Sequence, residues 1–505
     1  MMMMIHFGRL FVAVFLLSST LRAVSAKEET PNPNMLQIVK TCNEYGSANI
    51  TIVFKDHEDT EAPDDPNEDL FYKLSRVAAL SQKNFVADAS DLGLDPSRFR
   101  SYSIVNSIFI DNVPLDVIEE INKRDDIIHI FSNEVKPVDR KLEQETWAND
   151  WEEDFAVSSP HGGARKTRSG VAVGADEHFL QDSDYLPQIT STEADKLRNL
   201  NFAGGGIVVG ISSTGVNVLH EAITEQYRGY NIANETFTHD YNWLDAFLSG
   251  RPEPYDIFNI GTHLTGVIAG NKQGVGIAPE AKHISCRSVN SIREDTPESI
   301  LLCLQFFLAP FVGLEMENPK PELRPHVVIT QTCESCDSRI PPEFIDVLRR
   351  AVDALVDAGV LVVSPSGGYL DGTSPCDNVQ KPPSTFENVL TVGGLEANNA
   401  HLEGSAIGPV GDLFSSVVFD MIKPDITTLG RSVNSSVYLN GRSLYFGASG
   451  STVSAGVAAG TVALLWSAVP RLVRRVELTI RILQESAIPL LDTPELCPDC
   501  CDRFL

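Results

Sequence analysis

Short apolar runs alternate with helical periodicity over the C-terminal part of the chain. The continuous apolar runs lie at residues 207–211, 326–329, 360–363 and 389–392. Such runs are typical of parallel strands that are covered on both faces. Apolar side chains recur at helical spacing over residues 344–356, which predicts a helix between two of these strands. The alternation predicts an α/β domain with a doubly wound parallel sheet over residues 188–491, with sites at the carboxyl ends of the strands.

A helix of unusual composition follows Gly450. Small residues surround it on nearly every side, so we expect it to lie buried in the middle of this domain.

Residues 27–140 carry a shorter pattern. Runs rich in β-branched and apolar residues predict strands at residues 50–54, 103–110 and 127–131. Apolar residues at helical spacing follow the first run, and Pro114 stands where a second helix would begin. These three strands and two helices approach a β-α-β-β-α-β order and predict a small α+β domain of the ferredoxin-like type.

An acidic, turn-rich stretch at residues 141–187 is predicted to be a linker between the two domains. Its basic run at residues 165–168 suits either cleavage by a basic-specific processing protease or an exposed spot in a loop. Residues 492–505 form a tail that contains cysteines.

The first 26 residues have the features of a secretory signal peptide. Arg9 precedes the apolar residues 10–17, and small residues at 23–26 suit cleavage. The apolar run is too short to span a bilayer, although an N-terminal anchor helix is the alternative. We therefore expect a secreted protein without a membrane span after the signal is removed. Sequons at Asn49, Asn234 and Asn434 agree with the secretory route.

Charge and cysteine content narrow the choice of partners. The chain has 505 residues and a formal net charge of −28, which argues against nucleic acid and anionic membrane as partners because both repel an acidic surface.

Nine cysteines in an oxidising compartment predict some disulfides and at least one leftover thiol. The Cys-x-x-Cys pairs at 333/336 and 497/500 leave zinc open as an alternative, but no histidines cluster near them. We expect no cofactor and no metal.

Three stretches, at residues 211–216, 259–270 and 450–460, resemble the active-site motifs of the subtilisin-like serine proteases, the subtilases. Residues 274–289 and 423–426 resemble further segments of that family, and residues 227–231 resemble its bacillopeptidase F-like branch. The resemblance implies a subtilisin-like fold, serine-type endopeptidase chemistry, and an N-terminal propeptide domain that assists folding and blocks the cleft.

Each active-site stretch carries a different residue where the family has its catalytic one. Ser213 stands in place of the aspartate, Ile260 in place of the histidine, and Thr452 in place of the serine. Gly367 stands where the family has its oxyanion-hole asparagine, and residues 332–334 replace a Ser-x-Gly edge that binds substrate. Without a histidine no group takes the proton of an attacking hydroxyl, and an alcohol without a base is a poor nucleophile.

Neighbouring groups offer weak substitutes. His263 follows Ile260 by nearly one helical turn, and its family counterpart has a structural role. Ser449 and Ser451 flank Thr452, and Asp256 precedes Ile260. We interpret all four as ordinary structural residues.

The sequence therefore predicts a secreted subtilase homologue that is catalytically inactive and acts by binding peptide or protein, possible ligands being an active protease or its inhibitor. Two alternatives stay open: an active serine-type endopeptidase that uses a non-standard site around Thr452, and a decaying paralogue with little function.

Overall fold

The computed structural model describes residues 33–57, 68–133, 185–247, 249–290, 295–331, 343–368, 379, 381–411 and 418–490. The predicted signal peptide, the tail and residues 141–184 of the predicted linker lie outside these residues. So do Cys333, Cys336, Cys376, Cys497, Cys500 and Cys501.

The N-terminal unit is an antiparallel sheet flanked by helices. Its elements are α1 (Pro33–Tyr45), β1 (Ala48–Phe54), α2 (Leu70–Asp88), β2 (Arg100–Tyr102), β3 (Ser107–Val113), α3 (Leu115–Ile121) and β4 (Ile127–Ser132). The strand order is β2-β3-β1-β4, and each neighbouring pair is antiparallel. The predicted strands at residues 50–54 and 127–131 and both predicted helices are confirmed, whereas α1 is an additional element.

The predicted strand at residues 103–110 is wrong in its first half. Ser103–Val105 form a 3₁₀ turn that ends at Asn106 in the left-handed region, with φ 49°, and β3 begins only at Ser107. The turn exists because Ile104 and Val105 pack into the core of the second unit, and the Ile104 amide donates to Oε1 of Gln305 there at 2.9 Å. Contacts made across the two units thus outweigh the local β-propensity.

The second unit is a parallel sheet with helices on both faces. Its strands are β5 (Val208–Ser213), β6 (Tyr230–Asn231), β7 (Thr236–Phe237), β8 (Trp243–Asp245), β9 (Lys282–Arg287), β10 (Val327–Ile329), β11 (Leu361–Pro365), β12 (Leu390–Leu395), β13 (Gly408–Gly411), β14 (Val418–Lys423), β15 (Ile426–Leu429), β16 (Val433–Leu439) and β17 (Arg442–Ala448). Its helices are α4 (Pro187–Thr190), α5 (Ala194–Asn199), α6 (Ile260–Ala269), α7 (Pro297–Leu308), α8 (Glu343–Asp357), α9 (Ser451–Ala468) and α10 (Val476–Ser486).

The main sheet has the order β15-β12-β11-β10-β5-β9-β8, and all its neighbouring strands are parallel. The strands predicted at residues 207–211, 326–329, 360–363 and 389–392 correspond to β5, β10, β11 and β12. An α/β fold with a large parallel sheet is therefore confirmed. The carboxyl ends of β5, β10 and β11 lie side by side, which brings residues distant in sequence to one edge.

Two apolar cores cover the faces of this sheet. The one on the α6 and α9 side includes Leu264, Val457 and Trp466, and α9 is buried there as its small residues predict. By length and composition α9 is also the one helix in the described part of the chain that could cross a membrane, and 72% of it is buried. Close approach explains its glycines: a Cβ on Gly460 would stand 2.7 Å from Ile277 Cβ.

The core on the α7 and α8 side is shared with the N-terminal unit. Phe109 and Phe131 join Phe306 and Phe344 in one buried cluster, and the rings of Phe131 and Phe344 meet edge to face at 5.6 Å. Pro297 and a reciprocal Thr296–Ser299 capping box begin α7. The N-terminal unit thus covers apolar helix faces that would otherwise meet water.

A disulfide joins Cys286 at the end of β9 to Cys303 in α7. Both cysteines are fully buried. The expectation of disulfides is confirmed at this pair.

Candidate active site

Ser213 is the last residue of β5 and is fully buried. Its hydroxyl oxygen accepts a hydrogen bond from Nε2 of Gln331 at 3.1 Å. Gln331 follows β10, the neighbouring strand in the sheet. At the position that resembles the family's aspartate, Ser213 thus makes a hydrogen bond between two neutral side chains at adjacent strand ends.

Ile260 begins α6 behind Asn259, which lies in the left-handed region with φ 60°. The first turn of α6 approaches β5 closely, since a Cβ on Gly261 would stand 2.0 Å from the Gly215 carbonyl oxygen and 3.2 Å from Ser213 Cβ. The structure therefore places Gly261, the residue after Ile260, close to Ser213. An isoleucine side chain has no atom that binds or releases a proton.

Thr452 lies in the first turn of α9 and is partly buried. Its hydroxyl donates to Oε1 of Gln331 at 3.5 Å, a long hydrogen bond. The adjacent Ser451 hydroxyl donates to the Gly367 carbonyl oxygen at 3.1 Å. Gly367 follows β11 with φ 91°, and its carbonyl oxygen contacts the start of α9 through this hydrogen bond. It has no side-chain amide to donate.

Gln331 is the residue that sequence reasoning missed. Its side-chain amide contacts both Ser213 and Thr452, so it bridges the positions that an imidazole would join in an intact triad. The signal that could have found it is its place directly after an apolar strand run, because side chains at carboxyl strand ends converge. The neighbouring residues 332–334, predicted to replace the substrate-binding edge, lie outside the described residues.

Asp256 caps helix α6. One carboxylate oxygen accepts from the Asn259 amide at 2.9 Å and from the Thr214 hydroxyl at 2.8 Å, and the other accepts from the amide and hydroxyl of Thr262, both at 2.8 Å. Burial raises the pKa of Asp256, although the bonds from Thr262 and Thr214 oppose that shift. Its oxygens serve the helix N-terminus.

His263 supports a neighbouring hairpin. Its Nε2 lies 3.1 Å from the carbonyl oxygens of Val433 and Phe446, which belong to β16 and β17. Burial lowers the pKa of His263 to about 4, so the ring is neutral near pH 7 and donates from Nε2 to these acceptors. The structural interpretation of this histidine agrees with its contacts.

The site as described contains two hydroxyls, a primary amide and an aliphatic side chain. Among the residues that the structure describes, no carboxylate and no imidazole hydrogen-bonds to Thr452. Within the same residues no group of three or more His, Cys, Asp or Glu could hold a metal ion. The arrangement can donate and accept hydrogen bonds, but it offers no base.

The Lys423-Pro424-Asp425 segment has a structural role. The buried Lys423 ammonium donates to the Val389 carbonyl oxygen at 2.8 Å and to Asp425 at 2.7 Å, and Asp425 accepts from the Thr391 amide at 2.7 Å. These contacts fix the entry to β15 beside β12.

Known proteins are similar to this chain over part or most of its length. The model of the subtilase family matches residues 329–488, which run from the end of β10 through α9 to α10. Bacillopeptidase F of Bacillus subtilis (strain 168) is 28% identical over 411 residues, which cover 78% of this chain and 25% of that protein.

Two further relatives are similar over shorter spans. Subtilisin DY of Bacillus licheniformis is 24% identical over 219 residues, covering 43% of this chain and 66% of the relative. Serine protease AprX of Bacillus subtilis (strain 168) is 26% identical over 305 residues, which cover 55% of this chain and 61% of that protein. The chain thus spans a quarter of bacillopeptidase F and less than two thirds of AprX. Residues 329–488 thus match the subtilase family, and the large parallel sheet agrees with an α/β subtilisin-like fold.

Proposed function

We propose that this chain is a secreted subtilase homologue that does not hydrolyse peptide bonds and acts by binding peptide or protein. The observation that carries the proposal is the Ser213–Gln331–Thr452 chain of hydrogen bonds. It joins the position of the missing acid to that of the missing nucleophile through a neutral amide.

The chemistry of these groups supports inactivity. In a triad, the base removes the proton of the attacking hydroxyl and the oxyanion hole stabilises the charge that develops. Loss of the serine or the histidine typically reduces the rate by about 10⁶, and loss of one oxyanion donor by about 10²–10³. A Gln331 amide does not accept a proton near neutral pH, so it does not replace the histidine.

The N-terminal unit extends the proposal. Residues 33–133 resemble a propeptide domain in order and position, and they share a buried apolar cluster with α7 and α8. Self-processing of the linker would require an intact triad. We therefore propose that this unit stays attached to the peptidase-like unit unless another protease cuts the linker, and that secretion follows from residues 1–26.

The ligand we propose is a peptide or protein, including an active protease or its inhibitor. The partly exposed Thr452 and the strand ends beside it would form the floor of the binding cleft. Because the cleft keeps hydrogen-bonding groups without a base, a peptide held there would remain uncut.

The test combines labelling with binding. The purified full chain is treated with a fluorophosphonate probe, with subtilisin DY as the active control and Thr452→Ala as the matched variant. We expect labelling of the control only and an uncut linker. Labelling that depends on Thr452, together with cleavage of a peptide substrate, would refute inactivity and favour the endopeptidase.

Binding is measured with a fluorescent peptide library on the wild type, Thr452→Trp and Thr452→Ser. Filling the cleft with the indole is expected to weaken binding at least tenfold, whereas Thr452→Ser keeps the hydroxyl and should bind as the wild type does. Equal binding by all three, or binding by none, would refute the proposed peptide cleft.

A further inference from the structure

The three sequons of this chain lie in very different surroundings. Asn234, Glu235 and Thr236 are all exposed at the end of the β6–β7 hairpin. By contrast, Asn49 and Asn434 lie inside strands and are only partly exposed. Because an attached oligosaccharide must remain in water after folding, these differences separate the sequons.

The hairpin presents Asn234 in a suitable geometry. Tyr230 pairs with Phe237 and Asn231 with Thr236, which leaves residues 232–235 as the connecting turn. The Thr236 hydroxyl donates to Oδ1 of Asn234 at 2.7 Å. No hydrogen bond within the described residues engages Nδ2 of Asn234, so the nitrogen that would carry a sugar is available.

The surface beside this turn suits a sugar. Ile232 is 61% exposed at the end of the hairpin. A shallow depression of about 470 Å³ lies alongside, lined by Arg228, Asn231, Thr236 and Thr238 among others. A saccharide has both hydroxyls for the polar groups and C–H surface for Ile232. This side of the second unit can therefore accept a bulky polar group without displacing the core.

Asn49 is unsuitable because its strand faces the other unit. Side chains alternate along β1, so Asn49, Thr51 and Val53 share one face, and Val53 lies in the cluster that joins the units. Oδ1 of Asn49 accepts from the Asn112 amide at 2.9 Å. The Thr51 hydroxyl is fully buried and bonds Asn133.

The backbone of Asn434 and the hydroxyl of its sequon contact α4 and α6. Its carbonyl oxygen accepts from Nε2 of the buried Gln188 at 3.1 Å. The sequon hydroxyl, that of Ser436, is fully buried and donates to the Thr262 carbonyl oxygen in α6 at 2.8 Å. An oligosaccharide there would oppose the packing of β16 on α6.

We propose that Asn234 is the N-glycan acceptor of this protein and that Asn49 and Asn434 stay unmodified. The inference rests on the proposed secretory route. In the transfer, Nδ2 of Asn234 attacks the anomeric carbon of an oligosaccharide carried on a polyprenyl diphosphate. The new C–N bond forms as the bond from that carbon to the phosphate oxygen breaks, the amide loses one proton, and the polyprenyl diphosphate leaves.

The test uses the full chain expressed in eukaryotic cells with its own leader, and intact mass before and after treatment with an amidase that removes N-glycans. The wild type is expected to carry one glycan. Asn234→Gln and Thr236→Ala should remove it, and Thr236→Ser should retain it. The matched controls Asn49→Gln and Asn434→Gln should each keep the wild-type mass of one glycan.

Persistence of a glycan in Asn234→Gln, or a secreted wild type without any glycan, would overturn the proposal. If the chain is not secreted, translation into microsomes behind a strong heterologous leader separates the two ideas. Modification of Asn234 there would support the site and refute only the native leader, whereas protected but unmodified chain would refute the site itself.

Discussion

Glu298 is a buried carboxylate at the junction of the two units, and its titration gives a sharp test of the packing described above. It lies in the first turn of α7 and accepts from Nε of Arg100 at 2.9 Å and from the Tyr102 hydroxyl at 3.2 Å. Nη2 of Arg100 lies 2.7 Å away, and the Glu298 side chain is only 13% exposed. Asp111 faces the same guanidinium at 3.4 Å.

Burial raises the pKa of Glu298 from 4.5 to about 7, because loss of hydration outweighs the attraction of Arg100. A carboxyl whose folded pKa is raised stabilises the fold below its unfolded pKa, and the contribution is lost as pH rises through the folded pKa. Each pH unit is worth about 1.4 kcal/mol. The wild type should therefore lose roughly 3 kcal/mol of unfolding free energy relative to Glu298→Gln as pH rises from 4.5 to about 7.

The glutamine variant is the matched control because it keeps an acceptor and never titrates. Urea unfolding of both proteins from pH 5 to pH 8 gives the difference in unfolding free energy, and other titrating groups cancel in it. Hydrogen exchange at the Ile104 amide, which bonds Gln305 across the units, reports the same loss locally. A difference that stays constant with pH would refute the reasoning. The reasoning would also be refuted if the wild type became more stable relative to the variant as pH rises, because Arg100 would then keep Glu298 ionised.

Three further predictions follow from individual contacts. Gly261→Ala should destabilise the fold by about 3 kcal/mol or more, since its Cβ would stand 2.0 Å from the Gly215 oxygen; an unchanged urea midpoint would contradict this close approach. Replacing both Cys286 and Cys303 by serine, which opens a 17-residue loop, should cost about 3 kcal/mol, and equal thermal midpoints would refute a stabilising bond. In a variant with Ser213→Asp, Ile260→His and Thr452→Ser, adding Gly367→Asn should speed probe labelling about 10²-fold or more; no gain would show that Gly367 is not at the oxyanion position.

The fold was largely predictable because its signals are local. The apolar runs that form β5, β10, β11 and β12 predict buried parallel strands without further information. The small residues of α9 predict a central helix. Residues 103–105 were mispredicted because their turn depends on α7. Local β-propensity does not depend on Gln305, which lies 201 residues further along the chain than Ile104.

The sequence by itself indicated the resemblance to the subtilases and which catalytic residue types are replaced. Residue identity decides whether a proton acceptor exists, and Ile260 has none wherever it lies. Only the tertiary structure decided what occupies the site instead. Gln331 is separated from Ser213 by 118 residues and from Thr452 by 121, so no local pattern relates them. Parallel strands that end at one sheet edge, with α9 beginning there, bring the three side chains into contact. The raised pKa of Glu298 and the exposure of Asn234 also depend on the folded chain, because folding decides which side chains are buried.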